Sequence, residues 1–570
     1  MNHINKKGMW KRTFGLYRNF KIPWVLYIVQ VLLGIITSKV ALLYIPYETD
    51  LKLGNIDNPN LIWGYVGLML LSVGMNILSQ IPQFYASSTV TRNLQNKLIN
   101  RSLRLPMKSF ESSASQIVSW ITQDCAFADG LITSVIGFIT GIAATYMSVT
   151  SMNSIDSTMI YIVPFVAVYV IFSTWLGGKL MYLREKKGRY AESKLTAYLS
   201  EHLSYFSQIK QLHSQDEEIK NGKKAIEQFY RADIYQAVMT LINLFVSGSL
   251  TNVITILIFV MGVPRVNDGS ITITELAAFQ SYMLIAYQSI SSVPDLYTSF
   301  MYYNGILFYI SGLMAEKEDV YDREHSMDME DQDIEFKDVT FGYGKEPVIK
   351  NASFTIPKGK VTVIAGPNGS GKTTLFKLIE RFYTPDSGTM HFGPYDAEAI
   401  HLQEWRQSIG YVLQDPQLFN GTVRDNINYG MSRAVLPEET ESAAKLACAD
   451  EFIKELPDKY DFVIGDNGNR LSAGQRQRIA IARAVMLDPS YLLLDEATCN
   501  MDIYSEKSVT DALFSLMKGR TTVMISHDMN MLERADHIVV INDGNIEAEG
   551  SKAEVLEKSE TLKKLIAANA

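Results

Sequence analysis

The 570-residue sequence predicts two unlike halves: a membrane α-helical domain of six spans, then a soluble α/β domain built around a phosphate-binding loop. Three observations predict this. Long stretches free of Asp, Glu, Lys and Arg recur up to about residue 315 and then cease. A glycine-rich motif lies between a strand-like and a helix-like run after residue 360. Finally, a mean hydropathy of +0.02 is too apolar for an ordinary soluble enzyme and too polar for a chain made only of spans. Three cysteines, Cys125, Cys448 and Cys499, cannot form a paired disulfide framework. Gly and Pro are ordinary in number and apolar residues plentiful, which excludes collagen-like, coiled-coil and disordered classes.

The spans come first. Four uncharged runs, Leu61 to Thr91, Gly130 to Ile155, Ser157 to Gly178 and Ile234 to Pro264, each exceed the roughly 20 residues needed to cross a 30 Å hydrocarbon layer. Ile22 to Pro46 and Leu276 to about Ala315 complete the six, each with one charge, Lys39 and Asp295. Connections are short at 47–59, 150–157 and 264–275, and long at 92–129 and 179–233. The long ones read as extensions of the spans into the cytoplasm. Lys6, Lys7, Lys11, Arg12, Arg18 and Lys21 precede the first span without an acid among them, and Arg92, Lys97, Arg101, Arg104 and Lys108 follow the second. By the positive-inside rule the N-terminus, both long connections and, after an even number of spans, the C-terminal half are cytoplasmic. Trp10, Phe14 and Tyr17 fall on one face of a helix lying on the inner leaflet. Lys39 is close enough to the end of its span for its stem to reach water, and Asp295 lies near the inner boundary. The resulting organisation is a transmembrane domain at 1–315, an acidic solvated linker at 316–332, and a nucleotide-binding domain at 333–570.

The chemistry lies in the second half. The β-branched run Val361 to Ala365 leads into Gly366-Pro367-Asn368-Gly369-Ser370-Gly371-Lys372-Thr373, then the helical Thr374-Leu375-Phe376. This is G-x-x-x-x-G-K-[ST] in its required strand-to-helix context. Its glycines let backbone N–H groups surround phosphate oxygens, Lys372 reaches the β and γ phosphates, and the Thr373 hydroxyl binds Mg²⁺. A second apolar strand, Tyr491 to Leu494, ends in Asp495 and Glu496, which suits a metal-side carboxylate beside one that polarises an attacking water.

Further motifs resemble those of ATP-binding cassette (ABC) transporters, in the family's order. Leu471-Ser472-Ala473-Gly474-Gln475 resembles the signature, and Leu494-Asp495-Glu496-Ala497-Thr498 the Walker B segment. Gln414 matches the Q-loop, Tyr343 the aromatic A-loop, Asp502 the D-loop acid, and His527 the switch histidine. The six spans with long inward extensions resemble the exporter-type membrane domain.

The resemblance implies that Tyr343 stacks on adenine, Glu496 acts as base toward water, and His527 holds the γ-phosphate. It implies that Gln414 senses Mg²⁺ and water, with Thr373, Gln414 and Asp495 on the metal side. Gly366, Asn368, Gly369, Ser370, Gly371, Lys372, Thr373, Thr374, Gln475 and Asp502 complete the expected nucleotide contacts. Ser472 and Gly474 would close on a nucleotide held by another cassette, so a chain with one phosphate loop and one signature needs a partner: a second copy of itself or a homologous half-transporter.

Two departures stand out: Ala473 where the family usually has glycine, and Cys499-Asn500-Met501 where it has Ser-Ala-Leu. The implied function is ATP- and Mg²⁺-dependent transport across the plasma membrane, most simply export of an amphipathic small molecule, lipid or peptide by alternating access in a dimer. Import on the same scaffold, as in siderophore uptake, is the alternative direction. The spans argue against a non-transport cassette ATPase, and no nucleic-acid partner is expected. Contact helices are expected near residues 109–120 and 205–215.

Overall fold

The computed structural model describes every residue except 1–13, 55–58, 108–113, 171, 173–190, 192–193, 197, 291, 320–331, 345, 497–502, 527–528 and 570. The chain divides into two compact units, Met1–Leu103 with Ser112–Glu316, and Arg104–Glu111 with Lys317–Ala570.

The first unit is helical. Trp24–Leu43 is followed by Ile45–Lys52, where Pro46 at the first turn supplies a fixed φ and gives up an N–H that has no partner there in any case. Pro59–Ser102 follows, and at 1.5 Å per residue its 44 residues extend about 66 Å, over twice the hydrocarbon thickness. Next are Ala114–Thr122 and Ala128–Ile155. Gln215–Asn267, with 53 residues, extends about 80 Å, and Ile273–Ile290 and Ser292–Ala315 complete the unit.

Much of what reads in sequence as a long connection is therefore helix continued beyond the apolar run. Among the described residues, Trp24–Lys52, Asn60–Ser102 and Asp124–Ile155 are long and apolar enough to cross a membrane, with shorter apolar helices at Met159–Val170 and Thr251–Asn267. The expected span at 157–178 runs into residues outside the described set. Trp24–Leu43 packs along Pro59–Ser102, and Ile273–Ile290 along Ala128–Ile155. Met152, Met159, Ile258, Phe279 and Met283 are fully buried at the centre of one apolar cluster in this unit.

Two details differ from the sequence expectation. Trp10 lies outside the described residues, and Tyr17 does not lie free on a surface: its hydroxyl donates to the Ala128 carbonyl at 2.8 Å. The acidic segment is not wholly solvated, because Asp319 pairs with Arg406 at 3.4 Å with only 17% of its side chain exposed. Lys39 is exposed, while the side chain of Asp295 lies outside the described set. Short helices occupy both expected contact regions, Ala114–Thr122 and Phe206–Gln211, although 109–113 are not described.

The second unit holds two sheets. We number its strands β1 Ile334–Phe341, β2 Ile349–Ile356, β3 Val361–Ala365, β4 Ser387–Phe392, β5 Tyr395–Asp396, β6 Ile409–Val412, β7 Tyr491–Asp495, β8 Thr521–Ile525, β9 His537–Asn542 and β10 Asn545–Gly550. One sheet is antiparallel in the order β2-β1-β4-β5; the other runs β10-β9-β3-β8-β7-β6. Within the latter β9, β3, β8, β7 and β6 are parallel, so their C-terminal ends share one edge, where ligands bind in open α/β sheets. Continuous apolar runs such as Tyr491-Leu492-Leu493-Leu494 are what a strand covered on both faces requires. Phe336, Phe376, Trp405 and Ile525 fill one cluster, with Phe336 stacked on Phe354 at 4.4 Å. Ile479, Ala482, Leu494 and Leu513 belong to another.

Candidate functional site

The site is assembled at the C-terminal edge of β3, β8, β7 and β6. After β3 the chain makes the glycine loop and enters helix Lys372–Ile379, whose N-cap, Gly371, has φ 109°, a left-handed conformation that strains any residue with a Cβ. At Gly366 the constraint is space: a Cβ would sit 2.1 Å from the carbonyl oxygen of Ile541. The loop is thus seated directly against β9, with no room for alanine. A cavity of about 440 Å³ opens over it, lined by Asn368, Gly369, Gly371, Lys372, Thr373, Thr374 and Glu496, with Val348 and Ile525 as apolar walls.

Lys372 is buried, and its ammonium donates to the carbonyls of Gly366 at 2.8 Å and Pro367 at 2.9 Å. Burial lowers its pKa, an effect opposed by the negative charges of Glu496 and Asp495. Those two carboxylates lie at the end of β7. Burial raises the pKa of Asp495 and the adjacent Glu496 charge raises it further, while the Tyr411 hydroxyl, 3.4 Å away, opposes the rise. Such a pair of carboxylates is electrostatically prepared for a cation. Glu496 has φ 45°, unusual for a residue with a side chain, and its N–H donates to Ile525 on β8 at 3.0 Å. Its carboxylate accepts from Gln414 Nε2 at 2.9 Å. Two sequence-predicted residues from different strands thus meet over the phosphate loop.

Tyr343, 40% exposed, stands edge-on to Tyr383 with ring centroids 5.2 Å apart. The Lys377 ammonium lies 5.2 Å from the Tyr343 ring, and the hydroxyl is 3.3 Å from Thr374 Oγ1. Its ring is therefore tethered beside the phosphate-loop helix with a face left to offer.

Ser472 is the N-cap of helix Ala473–Leu487 and forms a capping box with Gln475: Gln475 N–H donates to Ser472 Oγ at 3.2 Å, and Ser472 N–H to Gln475 Oε1 at 2.9 Å. Ala473 is exposed in the first turn, and Gly474 is buried behind it. None of Ser472, Gly474 and Gln475 lines the cavity over this chain's own phosphate loop. Asp502 and His527 lie outside the described residues.

Three contributors escape sequence reasoning. Gln477, fully buried, donates to the Leu413 carbonyl at 3.1 Å and so ties the signature helix to the residue before Gln414. Tyr411 reaches Asp495 across the sheet. Glu380, at the end of the phosphate-loop helix, is 7% exposed, and burial pushes its carboxyl up to about 8. Gln477 stands within the signature run, but nothing local announces the contacts of these residues, because each is made with a strand or helix distant in sequence.

Comparison with known proteins agrees with this architecture. The family model of the ABC transporter transmembrane region matches residues 24–290, and the ABC transporter model matches residues 349–499. ABC transporter B family member 15 of Arabidopsis thaliana is 33% identical over 87% of this chain, which spans only 41% of that protein's length. YfiC, an uncharacterized ABC transporter ATP-binding protein of Bacillus subtilis, is 31% identical, with 93% of this chain and 89% of that protein covered. A multidrug resistance ABC transporter ATP-binding and permease protein of Lactococcus lactis is 27% identical over 96% of this chain and 93% of its own. In fold the chain matches a bacterial Atm1-family ABC exporter with ATP bound, with a TM-score of 0.81, 22% identity and 99% of both chains covered. With a transmembrane region and an ATP-binding domain in a single polypeptide, the chain belongs to the ABC transporter family.

Proposed function

We propose that this protein is a half-transporter that pairs with a second copy of itself and exports an amphipathic compound across the plasma membrane. The observation that carries the pairing is the separation of signature from phosphate loop: the cavity over Lys372 is walled by Glu496 and the glycine loop but by no signature residue. A partner's Ser472 and Gly474 equivalents would complete each site, and two ATP molecules would be held between two chains. The basic N-terminal segment favours placing the ATP-binding domain in the cytoplasm. Export is supported by the multidrug-resistance designation of the Lactococcus relative.

Within the site, Tyr343 stacks on adenine, and the amides of Gly366 to Thr374 with Lys372 hold the phosphates. Glu496, poised by Gln414, takes the proton of the attacking water, and His527 holds the γ-phosphate. Asp502 orders the partner face. The donor set of Thr373, Asp495 and Gln414 fits Mg²⁺ carried by a nucleotide, which draws its remaining ligands from phosphate and water; burial and then the Glu496 charge raise the Asp495 pKa, and a cation would relieve both. Bound there, Mg²⁺ would neutralise charge developing on the transferred phosphate.

ATP favours the closed pair, hydrolysis releases it, and the long helices Pro59–Ser102 and Gln215–Asn267 carry the change to the spans. The test has two arms. Purified chain alone should hydrolyse ATP; activity that appears only with a second gene product overturns the homodimer. ATP-dependent uptake of fluorescent amphiphiles into inside-out vesicles should exceed uptake by intact cells, and the reverse result identifies an importer.

A further inference from the structure

Away from the ATP site, a cavity of about 430 Å³ lies between the N-terminal segment and the last turn of helix Ser292–Ala315, lined by Gly15, Leu16, Arg18, Asn19, Ser311, Met314 and Ala315. Its polar features have opposite sign. At one side stands Arg18, exposed, whose guanidinium makes no hydrogen bond or ion pair among the described residues. At the other is a helix C-terminus, where last-turn carbonyls carry partial negative charge. The Leu313 carbonyl accepts from Glu316 N–H, but those of Met314 and Ala315 accept nothing among the described residues.

The surroundings are those of a membrane boundary. Phe14 and Trp24 flank the segment at 57% and 56% exposure, Phe14 packs against Phe300 with centroids 5.8 Å apart, and Lys21 is exposed nearby. The cavity is open over the backbone: a Cβ at Gly15 would meet nothing within 4 Å.

A cation, a partial anion and apolar walls together suit a dipolar, membrane-borne ligand. We infer that this cavity binds the headgroup of an aminophospholipid, phosphate on Arg18 and Asn19, ammonium toward the Met314 and Ala315 carbonyls, with Leu16 and Met314 beside the glycerol. Basic pockets between helices on the cytoplasmic side bind anionic lipid headgroups in membrane proteins generally, through the phosphate that an aminophospholipid also carries. A free phosphate would satisfy Arg18 but leave the carbonyls unanswered; a glycerol headgroup would lack the ammonium. The inference rests on the orientation proposed above, with the N-terminal segment at the inner leaflet.

The test uses the delipidated full-length protein in detergent, titrated with dihexanoyl-phosphatidylethanolamine and followed by its unfolding temperature. The wild type should be protected in a saturable manner. Arg18→Gln should raise the half-saturating concentration about tenfold, the loss expected for a charged hydrogen-bond partner. Arg18→Lys should stay within about threefold of wild type, because it keeps the charge, and Gly15→Trp should abolish protection by filling the cavity. Basal ATPase activity should be unchanged in Arg18→Gln and Arg18→Lys.

Equal titration of wild type and Arg18→Gln overturns the site. Equal protection by dihexanoyl-phosphatidylglycerol overturns the ammonium contact, and protection by inorganic phosphate alone at the same concentration assigns the cavity to free phosphate. Orientation is checked separately by membrane-impermeant maleimide on Asn19→Cys, read against the unsubstituted protein. Labelling in intact cells overturns the topology, whereas labelling only in inside-out vesicles without lipid protection overturns the headgroup site alone.

Discussion

Replacing Glu496 with glutamine separates its proposed function as a base from everything else its side chain does. In the protein the carboxylate accepts from Gln414 at 2.9 Å and forms part of the wall of the phosphate cavity. Glutamine has nearly the same shape, and its amide oxygen accepts the same hydrogen bond. The φ of 45° is no harder for glutamine than for glutamate, so no new strain enters. Nucleotide binding should therefore change by less than about 1.5 kcal/mol, the net worth of a typical hydrogen bond. What disappears is the proposed proton acceptor. A positioned general base contributes about 10² to 10⁴ in rate, so the barrier should rise by about 3 to 5 kcal/mol.

The assay is phosphate release by the full-length protein in lipid nanodiscs at saturating Mg-ATP, with fluorescent-nucleotide binding measured in parallel. Turnover should fall at least about 100-fold while binding stays within about tenfold, and the ATP-bound pair should persist long enough to be isolated. Turnover within about threefold of wild type would remove Glu496 from the role of base. Parallel loss of binding and turnover would reassign the side chain to holding the loop.

Three further outcomes follow from the geometry. Gly366→Ala drives a methyl to 2.1 Å from the Ile541 carbonyl, so it should cost about 1 to 3 kcal/mol and lower the melting temperature of the ATP-binding domain by several degrees; an unchanged melting curve would show that β9 yields easily. Tyr343→Ala should raise the KM for ATP by about 2- to 12-fold with little effect on kcat, whereas Tyr343→Trp keeps affinity, because an aromatic stack is worth about 0.5 to 1.5 kcal/mol; an equal effect of both variants would exclude stacking. Glu380 tests buried charge: its carboxyl is pushed up to about 8 from an ordinary 4.5, so the folded protein retains a proton that the unfolded chain releases. The stability this group contributes is fully present below pH 4.5 and is lost as pH rises through 8. Glu380→Gln should therefore flatten the decline of melting temperature between these limits, and parallel wild-type and variant curves would show that the group is not the source of the slope.

Much of the fold was legible because its signals are local. An uncharged run longer than a bilayer needs has few soluble destinations, and residues 61–91 fall within one helix, Pro59–Ser102. Strand, glycine loop and helix around Lys372 are contiguous, so the motif and its structural context could be read together. The capping box at Ser472 and Gln475 is likewise a three-residue pattern. The charged extensions were harder. Gln215 to Asp233 is polar and mixed in sign, and only continuity with the apolar stretch shows it to be the same helix. Asp319 is one acid among many along the chain, and its pairing with Arg406 arises only in the fold.

The sequence by itself determined the division into membrane and ATP-binding halves and the phosphate loop, because each depends on residue types within a short stretch. Tertiary structure decided what those residues do to one another. The order β10-β9-β3-β8-β7-β6 brings Gln414 to Glu496, presses Gly366 against Ile541, and lets Tyr411 reach Asp495. The folding of the N-terminal segment against the end of Ser292–Ala315 creates a cavity that neither segment announces. Such contacts arise from strand order and helix packing, which act through space at ångström range and leave no period or motif along the chain.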